Sequence, residues 1–146
     1  MNSKPIFKTE TSAGGIVYKK EGEKTLWLVT QHSLHKGWGF PKGLVGDKVR
    51  EEPMEVAASR EVKEEGGIEA KIVAKLPKPV SYMYRFQNYL IRKTVYYFLM
   101  AYVSGDPKDH DWEVSEAKFL TKEEVEKTLT FKSDKEAFKL ALIKLK

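Results

Sequence analysis

The chain has 146 residues, 41% of them hydrophobic and 12% aromatic, with a formal net charge of +5 and no cysteine. That length and apolar content suit one folded domain over residues 1–146 and exclude a disordered chain; the lack of cysteine excludes disulfides and thiolate metal centres, leaving oxygen or imidazole as metal ligands. The longest apolar run, residues 95–103, is too short to cross a bilayer as a helix, and Met1-Asn2-Ser3-Lys4-Pro5 lacks the apolar segment of a signal peptide, so a cytoplasmic protein without a membrane partner is expected.

In chain order, alternation and enrichment in β-branched and aromatic residues predict strands at 11–18 and 26–31, with a hairpin turn at Glu21-Gly22-Glu23 between them. A helix is predicted over 53–65. Pro53 suits its first turn, Met54, Ala58 and Val62 form an apolar stripe at i, i+4 and i+8, and Gly66-Gly67 supplies a left-handed stop. Strands follow at 68–76, 94–103 and 117–120, the middle one ended by Ser104-Gly105-Asp106-Pro107. Thr121 with Glu124, and Ser133 with Glu136, read as capping boxes that open two helices; Phe138, Ala141, Leu142 and Leu145 form the inward stripe of the last. The pattern is that of an α/β fold, a mixed sheet between helices, with no internal repeat or linker.

The helix over 53–65 carries the chemistry. Glu61, Glu64 and Glu65 stand at i, i+3 and i+4 and share one face, where they repel each other and would be costly to bury unpaired. A hard divalent cation, Mg²⁺ or Mn²⁺, turns that repulsion into attraction. Charge is also unevenly spread: residues 51–65 hold six acids and two bases, a net −4, so the remainder of the chain carries +9. An acidic metal pocket within a basic shell suits a polyanionic substrate.

The full stretch from Gly46 to Ile68 reads Gly-x5-Glu-x7-Arg-Glu-Val-x-Glu-Glu-x-Gly-Ile, and it resembles the box of the Nudix hydrolases. Ser12-Ala13-Gly14-Gly15-Ile16-Val17-Tyr18 is similar to the opening strand of that family, and Trp38-Gly39-Phe40-Pro41-Lys42-Gly43 to the loop leading into the box. The resemblance implies an α/β/α sandwich and metal-dependent cleavage of a phosphoanhydride. It also implies a metal held by Glu61, Glu64, Glu65 and the backbone carbonyl of Gly43, with Arg60 and Glu52 as an ion pair bracing the helix. One departure stands out. Gly43 lies three residues before the position that the spacing requires, which Gly46 occupies, so Gly43 and Gly46 compete for the ligand role and Glu51 and Glu52 for the ion pair; Leu44 replaces a histidine frequent in the family.

Hydrolysis also needs a group to take the proton of the attacking water. A box glutamate or an acid of the later loop (Asp109, Asp111, Glu113, Glu116) could serve, and Glu113, just ahead of a strand, is preferred as auxiliary ligand or base. For the substrate, Tyr82 and Tyr84, the run Arg92-Lys93-Thr94-Val95-Tyr96-Tyr97-Phe98 and the ending Leu129-Thr130-Phe131-Lys132-Ser133 are similar to the asymmetric diadenosine tetraphosphate hydrolases. Tyrosines would stack on a base, and Lys36, Lys42 and Lys93 would meet phosphates. Tyr96 and Tyr97 fit the core better, His32 and His35 have no assigned task, and Trp38 and Phe40 read as braces. Three functions follow. The first is asymmetric cleavage of diadenosine tetraphosphate with Mg²⁺ or Mn²⁺. The second is the same chemistry on RNA 5′ ends or diphosphoinositol polyphosphates, and the third is a non-catalytic nucleotide- or RNA-binding module. No obligate protein partner is indicated.

Overall fold

In the computed structural model, which describes residues 4–46 and 50–146, the chain builds eight strands and three helices around one sheet. Residues 1–3, read above for a leader, and 47–49, inside the box, lie outside the described residues. In chain order the elements are β1 (Ile6–Glu21), β2 (Lys24–His32), β3 (Trp38–Gly39), β4 (Lys42–Leu44), α1 (Met54–Gly66), β5 (Ile68–Lys75), β6 (Val80–Phe86) and β7 (Tyr89–Gly105). A 3-10 turn (Pro107–Asp109), β8 (Val114–Thr121), α2 (Lys122–Thr128) and α3 (Lys132–Leu145) complete the chain.

Two long strands organise the sheet. β1 runs parallel to β7 from Ile6 opposite Tyr89 to Tyr18 opposite Ala101, while its other edge pairs antiparallel with β4 and, further on, with β2. β7 in turn pairs with β6 through its first half and with β5 through its second. Because side chains alternate between the faces of a strand, β1 presents Glu10, Ser12, Gly14 and Ile16 to one side and Ala13, Gly15 and Val17 to the other. On the second side Ala57, Ala58 and Val62 of α1 pack against Ala13, Val17, Leu28, Phe98 and Met100. On the first, Ala137, Phe138 and Ala141 of α3 pack against Ile16, Trp27, Tyr97 and Leu99. The result is the expected mixed sheet between helices.

The predicted elements are present, with corrections at their ends. The Gly22 turn and the stop at Gly105 are found, and Gly67 caps α1 in the left-handed region (φ 74°). Thr121 and Glu124 form a full capping box, whereas Ser133 does not cap its helix: α3 begins at Lys132, two residues earlier than a Ser133 cap would set it, behind Phe131 and with no side-chain cap. The physical reason lies in Asp134, which turns inward in the first turn to Tyr97 and draws Ser133 into the helix. Pro53 likewise lies just outside α1, at its N-cap position. β6 and the first third of β1 and of β7 extend beyond the predicted strands, because those segments find their pairing in each other.

A candidate active site at the edge of helix α1

Strand β4 is where the two faces of the sheet meet the functional residues. Gly43 opposes Ala13 on the α1 face, and Lys42 opposes Gly14 on the α3 face. The Glu61 carboxylate lies directly over the Gly43 Cα, so that any side chain at Gly43 would collide with it. The neighbouring Lys42 backbone N–H donates to Glu65 Oε1 at 3.2 Å. One short strand thus lies against both carboxylates, bonding Glu65 from its main chain, and Gly43 rather than Gly46 is the glycine beside Glu61. Gly46 instead occupies a left-handed turn (φ 80°).

Arg60 answers the second ambiguity. Its Nε donates to Glu52 Oε2 at 2.8 Å and its Nη2 to Glu52 Oε1 at 2.9 Å, a bidentate pair with a carboxylate that is almost wholly buried. That bonding holds Glu52 below the ordinary carboxylate range and keeps Arg60 firmly charged. Glu51 is exposed. Arg60 Nη1 also reaches both Glu64 oxygens at 3.3 Å and Glu61 Oε1 at 3.5 Å, so the guanidinium links the brace to the functional carboxylates.

The carboxylates are under electrostatic load. Burial, then the Glu65 charge, and further on the Glu64 charge and a hydrogen bond shared with Glu64, push Glu61 up to about 8. Burial, with Glu113 and Asp111 opposing the pull of Lys42, pushes Glu65 up to about 7. Asp111 is tied to α1 through its N–H, which donates to the Glu64 carbonyl at 2.7 Å, and the Glu113 N–H donates to Asp111 Oδ1 at 3.1 Å. Glu113, the acid preferred from sequence, is therefore brought to Glu65. Among the described residues no three Asp, Glu or His side chains already form a cation cage. The donor set nevertheless fits a hard divalent cation: crowded carboxyl groups that repel one another and are held toward the protonated form are the groups from which such a cation displaces protons.

A pH dependence follows with a definite sign. Both folded-state pKa values lie above the ordinary carboxylate value of 4.5, so between about 4.5 and 8 the native state binds more protons than the unfolded one. Metal-free protein should lose stability as pH rises through that window, and Mg²⁺ should restore it. Thermal melts at pH 5.5 and 8.5 with and without Mg²⁺ test this; a metal-free midpoint that climbs with pH would contradict it.

On the opposite face four of the substrate-binding candidates, Lys42, Tyr82, Tyr84 and Lys93, gather in one basin. Lys93 opposes Glu10 across β1–β7 and Tyr82 across β6–β7, so all three share a face. Tyr84 donates its hydroxyl to Glu10 Oε1 at 2.5 Å, Lys93 Nζ lies 3.7 Å from the same oxygen, and that ammonium stands over the Tyr84 ring, 5.5 Å from its centre. Burial first, and then repulsion from Lys42, hold Lys93 below the ordinary lysine value. His32 and His35 stack with ring centres 4.0 Å apart and are also pushed down, His32 by burial and then by repulsion from His35 and Lys42, His35 by burial and then by repulsion from Lys42. Their Nδ1 atoms accept from the Leu34 and Gly37 N–H groups, which leaves the proton of each neutral ring on Nε2. Lys36 is exposed in the β2–β3 turn, in a left-handed conformation (φ 63°), and is not drawn into this group. Tyr97 and Phe40 are core residues and Tyr96 is half-buried; Trp38 braces its loop through Thr130, to which its N–H donates at 2.8 Å and from which its carbonyl accepts at 3.1 Å.

Three basin residues were missed from sequence. Glu10 continues the inward alternation of Ser12, Gly14 and Ile16, and Asp134 stands on the buried helical stripe with Ala137, Phe138 and Ala141; an acid in an apolar stripe is the signal that was available. Ser12, wholly buried, keeps a hydroxyl without a partner among the described residues.

Comparison with known proteins bears on the family and the fold. Residues 8–141 match the NUDIX domain family. The protein designated MutT4 of Mycobacterium tuberculosis is 30% identical over 138 residues, covering 90% of this chain and 54% of that protein, so the chain spans about half the length of this relative. The fold is similar to the NUDIX domain of Shewanella oneidensis NrtR complexed with ADP ribose (TM-score 0.74, 18% identity, 95% of this chain and 90% of that one). It is also similar to an Ap4A hydrolase binary complex from C. elegans (TM-score 0.70, 23% identity, 93% and 97%).

Proposed function

The chain belongs to the NUDIX family, and from that premise we propose that it hydrolyses a phosphoanhydride bond of a nucleoside polyphosphate with Mg²⁺ or Mn²⁺, most specifically diadenosine tetraphosphate, cleaved asymmetrically. The observation that carries this reading is the crowding of Glu61 and Glu65 against the Lys42–Gly43 main chain, with Glu64 tied to Glu61 through Arg60 and with Lys42 and Lys93 on the other face of the sheet.

Glu61, Glu64 and Glu65, with the Gly43 carbonyl, would hold the ion. When bound, it supplies charge neutralisation on the phosphoryl oxygens and acidifies a coordinated water. Arg60 fixes the helix through Glu52 and keeps Glu64 in reach. Glu113, or the box glutamate nearest the water, accepts a proton. Lys42 and Lys93 bind non-reacting phosphates, and Tyr82 or Tyr84 stacks on a base. The similarity to the Ap4A hydrolase fold is compatible with this substrate, as is the aromatic and cationic composition of the basin. RNA 5′ ends and diphosphoinositol polyphosphates remain the alternative substrates, and the intact carboxylate set argues against a purely binding role.

Product analysis separates these readings. With diadenosine tetraphosphate and Mg²⁺ the expected products are ATP and AMP. Equal amounts of ADP, or no cleavage beside efficient release of pyrophosphate from triphosphorylated RNA, would redirect the substrate assignment.

A further inference from the structure

Strand β6 is an edge that none of the usual devices protects. It pairs with β7 along its whole length, from Val80 opposite Val95 to Phe86 opposite Tyr89, without a bulge, and among the described residues no strand lies on its other side. Such an edge offers a row of free N–H and C=O groups to another chain, and sheets blunt theirs with charges, bulges and prolines. β5, which takes the rest of that side of β7, has two breaks in register and carries Glu69, Lys71 and Lys75. β8 carries Glu116 and Lys118 and meets β2 across a bulge, and the start of β1 carries Lys8 and Glu10. β6 has a single charge, Arg85, next to its end. It exposes Met83 (48%) and Phe86 (58%) instead.

The sequence of β6 says what this edge accepts. Val80-Ser81-Tyr82-Met83-Tyr84-Arg85-Phe86 can be laid antiparallel against a copy of itself, about a two-fold axis at Met83. Tyr82 then stands opposite Tyr84, Val80 opposite Phe86 and Ser81 opposite Arg85, with Met83 facing itself. No like charges meet, and the aromatic and apolar pairs are those that stabilise neighbouring strands. A slip of one residue would turn the copy over and set the half-buried face of one strand, Tyr82 and Tyr84, beside the exposed face of the other, Ser81, Met83 and Arg85. The centred register is therefore self-complementary, and an isologous contact of this kind closes at two copies. Tyr82 opposes Lys93, so the face on which the tyrosines meet is the face of the basin.

We infer that two copies of this chain associate by antiparallel β6–β6 pairing, which makes one sheet continuous through both and brings the partner's Tyr84 beside Tyr82 at the edge of the basin. Within one chain the Tyr82 and Tyr84 rings already lie 6.1 Å apart, and the pairing extends them into an aromatic cluster that spans the axis. Its consequence for the substrate rests on the proposed nucleoside polyphosphate reading; the pairing itself does not. A strand pair of this length buries less than a standard interface, so dissociation in the micromolar range is expected.

Cysteine substitution tests the register directly, because the chain has no cysteine of its own. Met83→Cys sets two thiols across the axis, where opposing Cα atoms of an antiparallel pair stand about 4.5–5.5 Å apart, within disulfide reach. Under mild oxidation it should crosslink at least about tenfold faster than Thr9→Cys on the β1 edge or Val73→Cys on the β5 edge. In sedimentation the wild type should pass from monomer to dimer as its concentration rises through the micromolar range. Met83→Lys, which sets like charges face to face across the axis, should stay monomeric with an unchanged far-UV CD spectrum. The crosslinked Met83→Cys protein should show a KM for diadenosine tetraphosphate about threefold below that of the same protein reduced, with kcat within about twofold, the signature of added binding by a stacking ring. A wild type that is still monomeric at about 0.5 mM, or equal crosslinking at the three positions, would overturn the pairing; a KM indifferent to the crosslink would overturn the shared aromatic cluster. If the wild type cleaves no phosphoanhydride, the functional reading fails, and sedimentation and crosslinking still decide the pairing.

Discussion

Glu65→Gln should lower kcat by about 10²–10⁴-fold at saturating Mg²⁺, the range spanned by a lost acid–base or charge-stabilising group. The substitution keeps size and the capacity to accept the 3.2 Å bond from the Lys42 N–H, and removes only the charge. Because burial and the acids Glu113 and Asp111 oppose that charge in the absence of metal, the variant should fold as well as the wild type and be slightly more stable without metal above pH 7. The two measurements together are diagnostic. A ligand carboxylate yields lower activity and equal or higher metal-free stability, with reduced stabilisation by Mg²⁺; a structural one yields lower stability. Wild-type turnover in Glu65→Gln would remove that residue from the site.

Arg60→Met should have the largest effect on stability. Glu52 is almost entirely removed from solvent and takes two guanidinium bonds of 2.8 and 2.9 Å. Breaking a buried pair by deleting one partner leaves an uncompensated charge, at a cost of about 3–5 kcal/mol, which lowers the thermal midpoint by about 10 °C for a chain of this size. The loss has a second component, since Arg60 also tempers the mutual repulsion of Glu61 and Glu64. Glu52→Gln combined with Arg60→Met should recover part of the stability, because the stranded charge is gone. A single-variant loss below about 1 kcal/mol would mean that the pair behaves as an exposed one.

How much of this was legible in the chain varies with the range of the interaction. Helix α1, its apolar stripe, its glycine stop and the shared face of Glu61, Glu64 and Glu65 all follow from a 3.6-residue period within a single segment. The β1–β2 hairpin and the capping box at Thr121 are equally local. β6 was missed because Val80-Ser81-Tyr82-Met83-Tyr84-Arg85-Phe86 places apolar residues on both faces, with Met83 and Phe86 exposed, and so shows little alternation of polarity. The Ser133 capping box was overread for a related reason: Ser-Asp-Lys-Glu satisfies the local rule, while the burial of Asp134 against Tyr97, a contact from far along the chain, moves the helix start.

By itself, then, the sequence determined that a helix would hold three carboxylates together, and that a cation would relieve them. Only the tertiary structure decided which glycine lies under Glu61, that Glu52 rather than Glu51 holds Arg60, and that Glu10 and Asp134, each bonded to a tyrosine, lie on the side of the sheet that carries Lys42 and Lys93. Those acids come from opposite ends of the chain, Glu10 on the first strand and Asp134 on the last helix, and they reach one basin only because β1 lies parallel to β7 with α3 across both. Local periodicity dictates which way a side chain points; the register of strands distant in sequence dictates what it meets.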